Sequence, residues 1–419
     1  MRLTAESVVI GAGIVGIATA YHLVREGAAV TIVDRAPEGD KASFGNAGAI
    51  AVTEIVPASV PGLAWQVPRW LLDPLGPLAV RPAHAFQLVP WLRRFSQAGT
   101  PSEMSRIALA LSALNNRVYE DLRPMLAETG LSGELNERGA LTVYESEQGL
   151  RRDAAEWALK RDHGIAIENL TGEQARDMEP ALGAIVHRAV FTPQWSHIND
   201  PKRLVDSLRE WLRLRGVAFI TGDVIDISDP GGMPRVGLQV DLAGGRRIAA
   251  DQVVVAAGAW SGELAKRLDD PVLLESERGY NTTLPDPGVT LSREVIFAER
   301  KFVATPLSCG LRIGGAAEFG GLHAEPNFKR SQALVTLATR YLPGLKLRGG
   351  TNWAGHRPAT PDSLPVIGAS PRHPKVFYAF GHGHLGLTQA ATTGRLISNL
   401  IRGTPTPIDM TPYAIGRFS

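Results

Sequence analysis

The chain has 419 residues, of which 44% are hydrophobic and 21% are charged, with a formal net charge of +2. This length is typical of a globular protein with two domains, and the near-neutral charge without a long basic run gives no indication of nucleic-acid binding. The one cysteine, Cys309, excludes an internal disulfide framework and cysteine-based metal centres, so no metal site is predicted. Cys309 is expected to be buried among apolar neighbours, and a reducing, cytoplasmic location is expected.

The first 35 residues predict a strand–helix–strand unit. Residues 7–10 are typical of a buried strand, residues 14–26 of a helix that Gly27 ends, and residues 29–33 of a second buried strand. A polar, glycine-rich loop follows at 41–48. Because glycines and a strand-like run follow the first apolar residues directly, no signal peptide is predicted.

Between the first strand and the helix lies the pattern G-x-G-x-x-G, made by Gly11, Gly13 and Gly16. Gly11 permits a tight turn, Gly13 lets the backbone approach a pyrophosphate, and Gly16 allows the helix to pack closely on the strand. Asp34 closes the second strand, where an acid binds a ribose 2′-OH. The unit therefore predicts a Rossmann-like fold that holds a dinucleotide at the helix N terminus.

Residues 60–92 form the most apolar stretch of the chain. Six prolines interrupt it, so it contains no run long enough to span a membrane. Two interpretations stay open for this stretch: an amphipathic segment lying on a membrane surface, or an irregular lid packed on the protein itself.

Several further elements are predicted along the chain. Thr100 to Glu103 matches a capping box that opens one long helix reaching Leu122, and Asp200-Pro201 opens another that Gly216 stops. The remaining patterns predict strands at 141–144, 217–220, 224–227, 236–240, 251–257, near 295 and 311, and at 376–380, and helices at 151–162, 331–341 and 387–401. Together they predict an α/β protein with a discontinuous domain for the dinucleotide (1–50, 198–262 and 345–419) and an inserted α+β substrate domain with an antiparallel sheet (51–197 and 263–344).

Two features favour FAD over NAD. The loop at 43–48 is rich in small and amide residues that can approach a flat ring. The Gly-His-Gly-His-Leu-Gly junction at 381–386 precedes a helix, whose N terminus would stabilise the negative charge of a reduced flavin.

Six segments carry a resemblance to a known family: VVIGAGIVGIATAYHLVREGAAVTIVDR (8–35), SFGNAGAI (43–50), VVVAAGAWS (253–261), RGY (278–280), WAGHRPATPDSLPVIG (353–368) and GHGHLGLTQA (381–390). On these segments the chain resembles the FAD-dependent D-amino-acid dehydrogenases, within the D-amino-acid oxidase, glycine oxidase and sarcosine oxidase group. The last two segments resemble most the branch that includes cis-4-hydroxy-D-proline dehydrogenases.

The resemblance implies a cofactor site and a substrate site. It implies FAD contacts from Gly11, Gly13, Gly16, Asp34, Arg35, Ser43, Asn46, Ala47, Val224, Ala257, Gly258, Trp260, Gly383, His384, Gly386, Leu387 and Thr388. It implies that Arg357 binds the substrate carboxylate and that Tyr280 is a second substrate contact. Non-covalent FAD is expected, because no cysteine stands in the C-terminal junction.

The predicted reaction is the oxidation of a small D-amino or D-imino acid by hydride transfer to the flavin, with electrons passed to a quinone or another carrier. His356 and His384 are the favoured candidates for a base, ahead of His197 and His382. Three alternatives stay open: an oxygen-using amine oxidase, an NAD-dependent dehydrogenase, and a non-catalytic FAD-binding subunit of a complex. Peripheral contact with the inner face of the cell membrane stays open too, and the sequence does not predict the oligomeric state.

Overall fold

The computed structural model describes residues 3–73, 75–229 and 237–418. Its strands are β1 (Leu3–Ile10), β2 (Val30–Asp34), β3 (Ala49–Ile50), β4 (Leu78–Val80), β5 (Leu135–Asn136), β6 (Ala140–Tyr144), β7 (Glu168–Thr171), β8 (Arg188–Thr192), β9 (Ser196–Ile198), β10 (Ala218–Thr221), β11 (Val224–Ser228), β12 (Leu238–Leu242), β13 (Arg247–Val255), β14 (Glu275–Leu284), β15 (Glu294–Phe297), β16 (Phe302–Leu307), β17 (Gly310–Phe319), β18 (Thr351–Ala359), β19 (Val366–Ala369) and β20 (Val376–Phe380). Its helices are α1 (Ile14–Arg25), α2 (Leu63–Leu72), α3 (Val89–Ala98), α4 (Pro101–Asn115), α5 (Val118–Glu128), α6 (Glu147–Arg152), α7 (Ala154–Asp162), α8 (Gly172–Met178), α9 (Pro201–Arg213), α10 (Ser261–Arg267), α11 (Lys329–Tyr341) and α12 (Gly386–Arg402).

The first large sheet has the order β10-β2-β1-β13-β12-β11, and β20 pairs with β13 and β19. Its centre is parallel, since β1 runs parallel to both β2 and β13, whereas β11, β12 and β19 pair antiparallel with their neighbours. Helix α1 packs closely on α12: a Cβ added to Gly394 would lie 2.5 Å from the carbonyl oxygen of Ala18. This close packing fixes both helices, whose N termini border the site described below.

The second large sheet has the order β18-β14-β17-β16-β15-β6-β8-β7, with β4 beside β17. It is mostly antiparallel, and α11 buries Leu334, Leu337 and Ala338 in the apolar core on one of its faces. A small third sheet has the order β3-β9-β5 and is antiparallel. The α/β class with a Rossmann-like sheet and an antiparallel sheet is confirmed, and the domain limits stay a prediction.

Most of the predicted elements form where the sequence placed them. Asp200 caps α9 by accepting a hydrogen bond from the Arg203 amide at 3.0 Å, and Gly216 follows the helix with a φ of 85°. The strand predicted at 236–240 forms as β12 from Leu238, and its first residue, Val236, lies outside the described residues.

Two helix predictions are wrong in detail. The long helix breaks into α4 and α5, with Asn116 and Arg117 forming a turn between them; beside the break, the side-chain amide of Asn115 donates to the carbonyl of Glu54 at 3.0 Å. Thr100 is the N-cap of α4 but makes no side-chain capping bond. The helix predicted at 151–162 likewise divides, at Asp153, into α6 and α7.

The apolar stretch at 60–92 folds into α2, β4 and the start of α3; Pro74 lies outside the described residues, and the side chains of 63–66 are not described. Trp91 is buried and donates to the carbonyl of Ala359 at 3.0 Å, whereas Leu72 and Phe86 are 85% and 89% exposed. Among the described residues, no helix combines the length and apolar character that crossing a membrane requires.

The expectation that Cys309 is buried is wrong. Cys309 is exposed, because it lies in the turn of the hairpin between β16 and β17, where the chain reverses and its side chains face outward.

Candidate active site

A cavity of about 920 Å³ lies between the two large sheets. Its lining includes nearly all of the site residues expected from the sequence: Gly11, Gly13, Asp34, Arg35, Ser43, Asn46, Ala47, Val224, Ala257, Gly258, Trp260, Tyr280, His356, Arg357, Gly383, His384, Gly386 and Leu387. Gly16 and Thr388 are not among the lining residues. Segments far apart in sequence therefore meet around one space.

The three fingerprint glycines have different environments at the start of α1. A Cβ on Gly11, whose φ is 113°, would lie 2.3 Å from the Ala256 carbonyl oxygen, and a Cβ on Gly16 would lie 2.0 Å from the Gly11 carbonyl oxygen. A Cβ on Gly13 would meet no atom nearer than Ser43 Oγ, at 3.7 Å. Gly11 and Gly16 thus hold the turn and helix together, while Gly13 faces the cavity.

Asp34 is held in place by backbone amides. Its carboxylate accepts hydrogen bonds from Ala12 N and Ala36 N, both at 2.8 Å, and lies 3.1 Å from the Lys41 ammonium. These contacts fix the carboxylate at the edge of the cavity beside the helix N terminus. This is the position that binding of a ribose hydroxyl requires.

The loop at 43–48 is held by both large sheets. Ser43 Oγ accepts from the Ile14 amide at 3.0 Å and so caps α1. Arg312 donates to the carbonyls of Phe44 at 3.0 Å and Asn46 at 2.6 Å, and Asn281 donates to the carbonyl of Gly45 at 2.7 Å. Three successive loop carbonyls are thereby paired with side chains of the second sheet.

Arg312 is a residue that sequence reasoning missed. It lines the cavity, and its guanidinium also donates to the Thr283 hydroxyl at 3.0 Å. Burial lowers the pKa of Arg312. A single arginine in a predicted strand does not indicate a role in the site. The backbone carbonyls to which Arg312 donates are brought to it only by the tertiary fold.

Trp353 lies against the same loop. A Cβ on Gly45 would lie 2.1 Å from the Trp353 ring, and a Cβ on Gly355 would lie 1.9 Å from it, so the indole is sandwiched between two glycines. Its Nε1 donates to Asp40 at 2.5 Å. The indole of Trp353 thus packs the loop residue Gly45 closely against β18, which carries Gly355.

A second set of residues lines the cavity beyond β13. The guanidinium of Arg35 lies 4.2 Å from the ring centroid of Trp260, and Trp260 contacts His356 edge-on at 5.1 Å. His356 Nδ1 bonds the Ser276 hydroxyl at 2.6 Å. Burial lowers the pKa of His356 to about 4, with Arg278 and Arg35 adding to the effect, so this imidazole is neutral at pH 7.

The C-terminal junction brings His384 to the other side of the cavity. His382 bridges to Ala359 at the end of β18, and the Gly383 amide donates to the Pro358 carbonyl at 2.9 Å. These bonds attach the start of α12 to the strand that carries Arg357. His384 is exposed to the cavity that it lines, and the surrounding protein lowers its pKa by desolvation.

Thr388 does not face the cavity, which corrects the expected contact. Its hydroxyl accepts from the Ala51 amide at 3.0 Å and donates to the Ala49 carbonyl at 3.2 Å. It therefore attaches α12 to the segment that follows β3.

Arg357 lies flat over Gly279, where a Cβ would come within 2.5 Å of its Cζ. Its Nη1 donates to Glu277 at 2.6 Å and to the Ala316 carbonyl at 2.9 Å, and its Nη2 lies 3.4 Å from the Gly315 carbonyl. Nε makes no hydrogen bond to any described residue, so the Nε–Nη2 edge retains donors. That edge is the one with which a guanidinium grips a carboxylate with two parallel bonds.

The structure does not agree with the substrate contact expected from the Tyr280 hydroxyl. Tyr280 is 1% exposed, its hydroxyl donates to Glu318 at 2.6 Å, and it accepts from the Asn327 amide at 2.9 Å. Along β14, which pairs with β18 without a shift in register, successive side chains point to opposite faces of the sheet, so Tyr280 points away from the face on which Arg357 lies over Gly279. The phenol is thereby committed to the core that packs on α11.

Of the four candidate histidines, one makes a structural hydrogen bond and another does not line the cavity. His382 is buried and bonds the Thr393 hydroxyl at 2.9 Å, and burial lowers its pKa to about 3. His197 is 1% exposed and is not among the lining residues. His384 makes no hydrogen bond to the described residues, so its ring nitrogens are available in the cavity.

Residues 6–400 match the protein family described as FAD dependent oxidoreductase. The chain belongs to this family. A relative, the D-amino-acid oxidase of Bradyrhizobium diazoefficiens, is 32% identical over 420 residues, which cover 98% of each chain. FAD as the cofactor is confirmed, and the NAD-dependent alternative is wrong.

The oxidoreductase also resembles solved structures over its whole length. Glycine oxidase from Geobacillus kaustophilus matches with a TM-score of 0.74 and 22% identity, covering 99% of this chain and 98% of that chain. L-proline dehydrogenase from P. horikoshii matches with a TM-score of 0.72 and 19% identity, covering 100% and 98%. At these identities the matches show the shared fold.

The cavity of the oxidoreductase fits FAD. A Cβ at Gly258 or at Gly383 would meet no protein atom within 4 Å, although both glycines line the cavity. With Gly13 they form a glycine-bordered cradle whose open face a cofactor can fill. Among the described residues, no group of acidic, histidine or cysteine side chains is arranged to hold a metal ion.

Proposed function

We propose that this oxidoreductase oxidises a D-amino or D-imino acid and that Arg357 binds the substrate carboxylate. The observation that carries the proposal is the Nε–Nη2 edge of Arg357, which retains its donors beside the cofactor cradle while Glu277 and two carbonyls hold the other side of the guanidinium. The D configuration is supported by the relative named D-amino-acid oxidase.

The side chains around Arg357 supply the remaining steps. Bound FAD would take the hydride that leaves Cα. Arg357 fixes which face of Cα is presented, because a bidentate grip removes the rotation of the carboxylate. His384, kept neutral by its lowered pKa, accepts the proton that the substrate ammonium must lose before its C–H bond can break.

For the electron acceptor we propose a quinone or another carrier, reached at a membrane surface. Leu72 and Phe86 are 85% and 89% exposed, and Arg93 and Arg94 are exposed as well; exposed apolar and basic side chains of this kind favour contact with an anionic membrane surface. The second candidate is an oxidase that uses oxygen, which is favoured by relatives named as oxidases. Cis-4-hydroxy-D-proline is one substrate to be tested.

The test is anaerobic bleaching of the flavin by matched D- and L-amino acids, including the hydroxyprolines, followed by oxygen-electrode traces with each active substrate. We expect D-forms to bleach the flavin, and Arg357→Ala to raise KM by roughly 100-fold, since about 3 kcal/mol is the upper range for a charged hydrogen-bonded pair. Arg348→Ala, an exposed arginine just before the same strand, is the matched control. An unchanged KM in Arg357→Ala with FAD bound would refute the assignment.

A further inference from the structure

One end of the cavity is lined by charged side chains that none of the assignments above uses. We call it the acidic chamber; its ionisable residues are Glu54, Asp153, Glu156, Lys160, Glu294 and Lys301. Four carboxyl groups face two ammonium groups, so the formal charge is −1 when one carboxyl is neutral and −2 when all are ionised. A lining of this sign attracts a cation.

The floor of the acidic chamber is a buried ion pair. Lys160 is 2% exposed, and its ammonium lies 2.8 Å from Glu54 Oε1 and 2.9 Å from Glu156 Oε1. Burial would raise the pKa of Glu54, but the attraction of Lys160 outweighs it, and the net pKa is lowered. Glu54 is therefore ionised, and its Oε2 has no partner among the described residues.

Glu294 is the second unfilled group. It is 1% exposed, yet it lines the cavity. Trp195 Nε1 donates to its Oε2 at 3.1 Å, and its Oε1 has no hydrogen-bond partner in the described part of the chain. This oxygen is therefore available to a ligand that enters the cavity.

The small sheet joins the acidic chamber to the residues of the proposed reaction. Glu54 follows β3, whose neighbour β9 follows Trp195 directly. Thr388 attaches the same segment to the first turn of α12, close behind His384. The charges of Glu54, Lys160 and Arg357 all act on His384, so His384 is near both Arg357 and the chamber.

We propose that the acidic chamber binds the cationic end, ammonium or guanidinium, of a long basic side chain on the amino-acid substrate. The inference rests on the proposed function: with its carboxylate on Arg357 and its Cα beside His384, a substrate would direct its side chain toward Glu54 and Glu294. Charge complementarity selects the cation, and the separation of the two ends selects the length.

The test compares D-arginine with D-citrulline, its uncharged counterpart of nearly equal shape, by anaerobic flavin bleaching of the FAD-loaded protein. The wild type should prefer D-arginine in kcat/KM by at least tenfold. At pH 9, above the pKa of about 8 to which burial raises Glu294, this ratio should fall below threefold in Glu294→Gln and in Glu54→Gln, mainly through a higher KM for D-arginine, because the contact is remote from the reacting atoms. Glu168→Gln, an exposed acid on β7 of the same sheet, is the matched control and should keep the ratio.

Equal use of the two substrates by the wild type would overturn the inference, as would a ratio that survives in Glu294→Gln with the melting temperature and the bound FAD retained. Bleaching by D-alanine or D-hydroxyproline without any preference for D-arginine would refute the chamber assignment alone. If no D-amino acid bleaches the flavin, the proposed function and this inference both fail.

Discussion

The glycine fingerprint offers a sharp test, because a single methyl group at two of its positions should have opposite consequences. A Cβ on Gly16 would lie 2.0 Å from the Gly11 carbonyl oxygen, so Gly16→Ala must force α1 away from the turn. A Cβ on Gly13 would have 3.7 Å of clearance, and the backbone there, with φ of −73° and ψ of 172°, suits any residue. The methyl group of Gly13→Ala would instead project into the space reserved for the cofactor.

The expected magnitudes follow from these contacts. Inserting a methyl group into a packed contact costs about 1–3 kcal/mol. In Gly13→Ala this cost should appear as a roughly 5- to 150-fold weaker Kd for FAD, with the melting temperature of the apoprotein nearly unchanged. In Gly16→Ala the same cost should lower the melting temperature of the apoprotein by several degrees, as expected for a chain of this size.

The assay is FAD titration followed by flavin fluorescence quenching, paired with thermal unfolding of the apoproteins. Gly130→Ala is a poor control since its φ is 71°, whereas Gly133→Ala has open space around its Cβ and no unusual φ, and should match the wild type in both assays. A folded Gly13→Ala protein that binds FAD with wild-type affinity would refute the placement of the pyrophosphate beside Gly13.

Three further predictions test other parts of the molecule. Arg312→Met should weaken FAD binding about tenfold in the same titration, because it frees the loop carbonyls that Arg312 holds; unchanged affinity would contradict its positioning role. Burial raises the pKa of Glu294 to about 8, so the stability that this carboxyl contributes is greatest below about pH 4.5, where it is protonated in both the folded and the unfolded state, and is lost as pH rises to about 8. The melting temperature of Glu294→Gln should therefore rise relative to that of the wild type between pH 5 and pH 8. A difference in melting temperature that does not change with pH would contradict the raised pKa. Leu72→Ser with Phe86→Ser should reduce co-sedimentation with anionic lipid vesicles while leaving flavin bleaching intact, whereas equal sedimentation would remove the support for a membrane acceptor.

The sequence alone determined the cofactor-binding unit. The fingerprint glycines, Asp34 and the flanking strands lie within one short stretch, and their roles depend on turn geometry and on helix–strand packing between near neighbours. For the same reason the capped start of α9 at Asp200 and the strand β20 form as predicted. The pattern of apolar residues did not predict the turn at Asn116 and Arg117 between α4 and α5, because the same apolar face continues on both sides of it.

The tertiary structure decided which side chains face the cavity. Arg357 was found from its motif, but its partner Glu277 and its free edge depend on the pairing of β18 with β14. Tyr280, one residue beyond Gly279, points to the opposite face of the sheet and into the core, because side chains alternate along a strand. The sequence around Arg312, Glu54 and Glu294 does not indicate a role for them. Each depends on a partner from a remote segment: loop carbonyls for Arg312, the Lys160 ammonium for Glu54 and the Trp195 indole for Glu294.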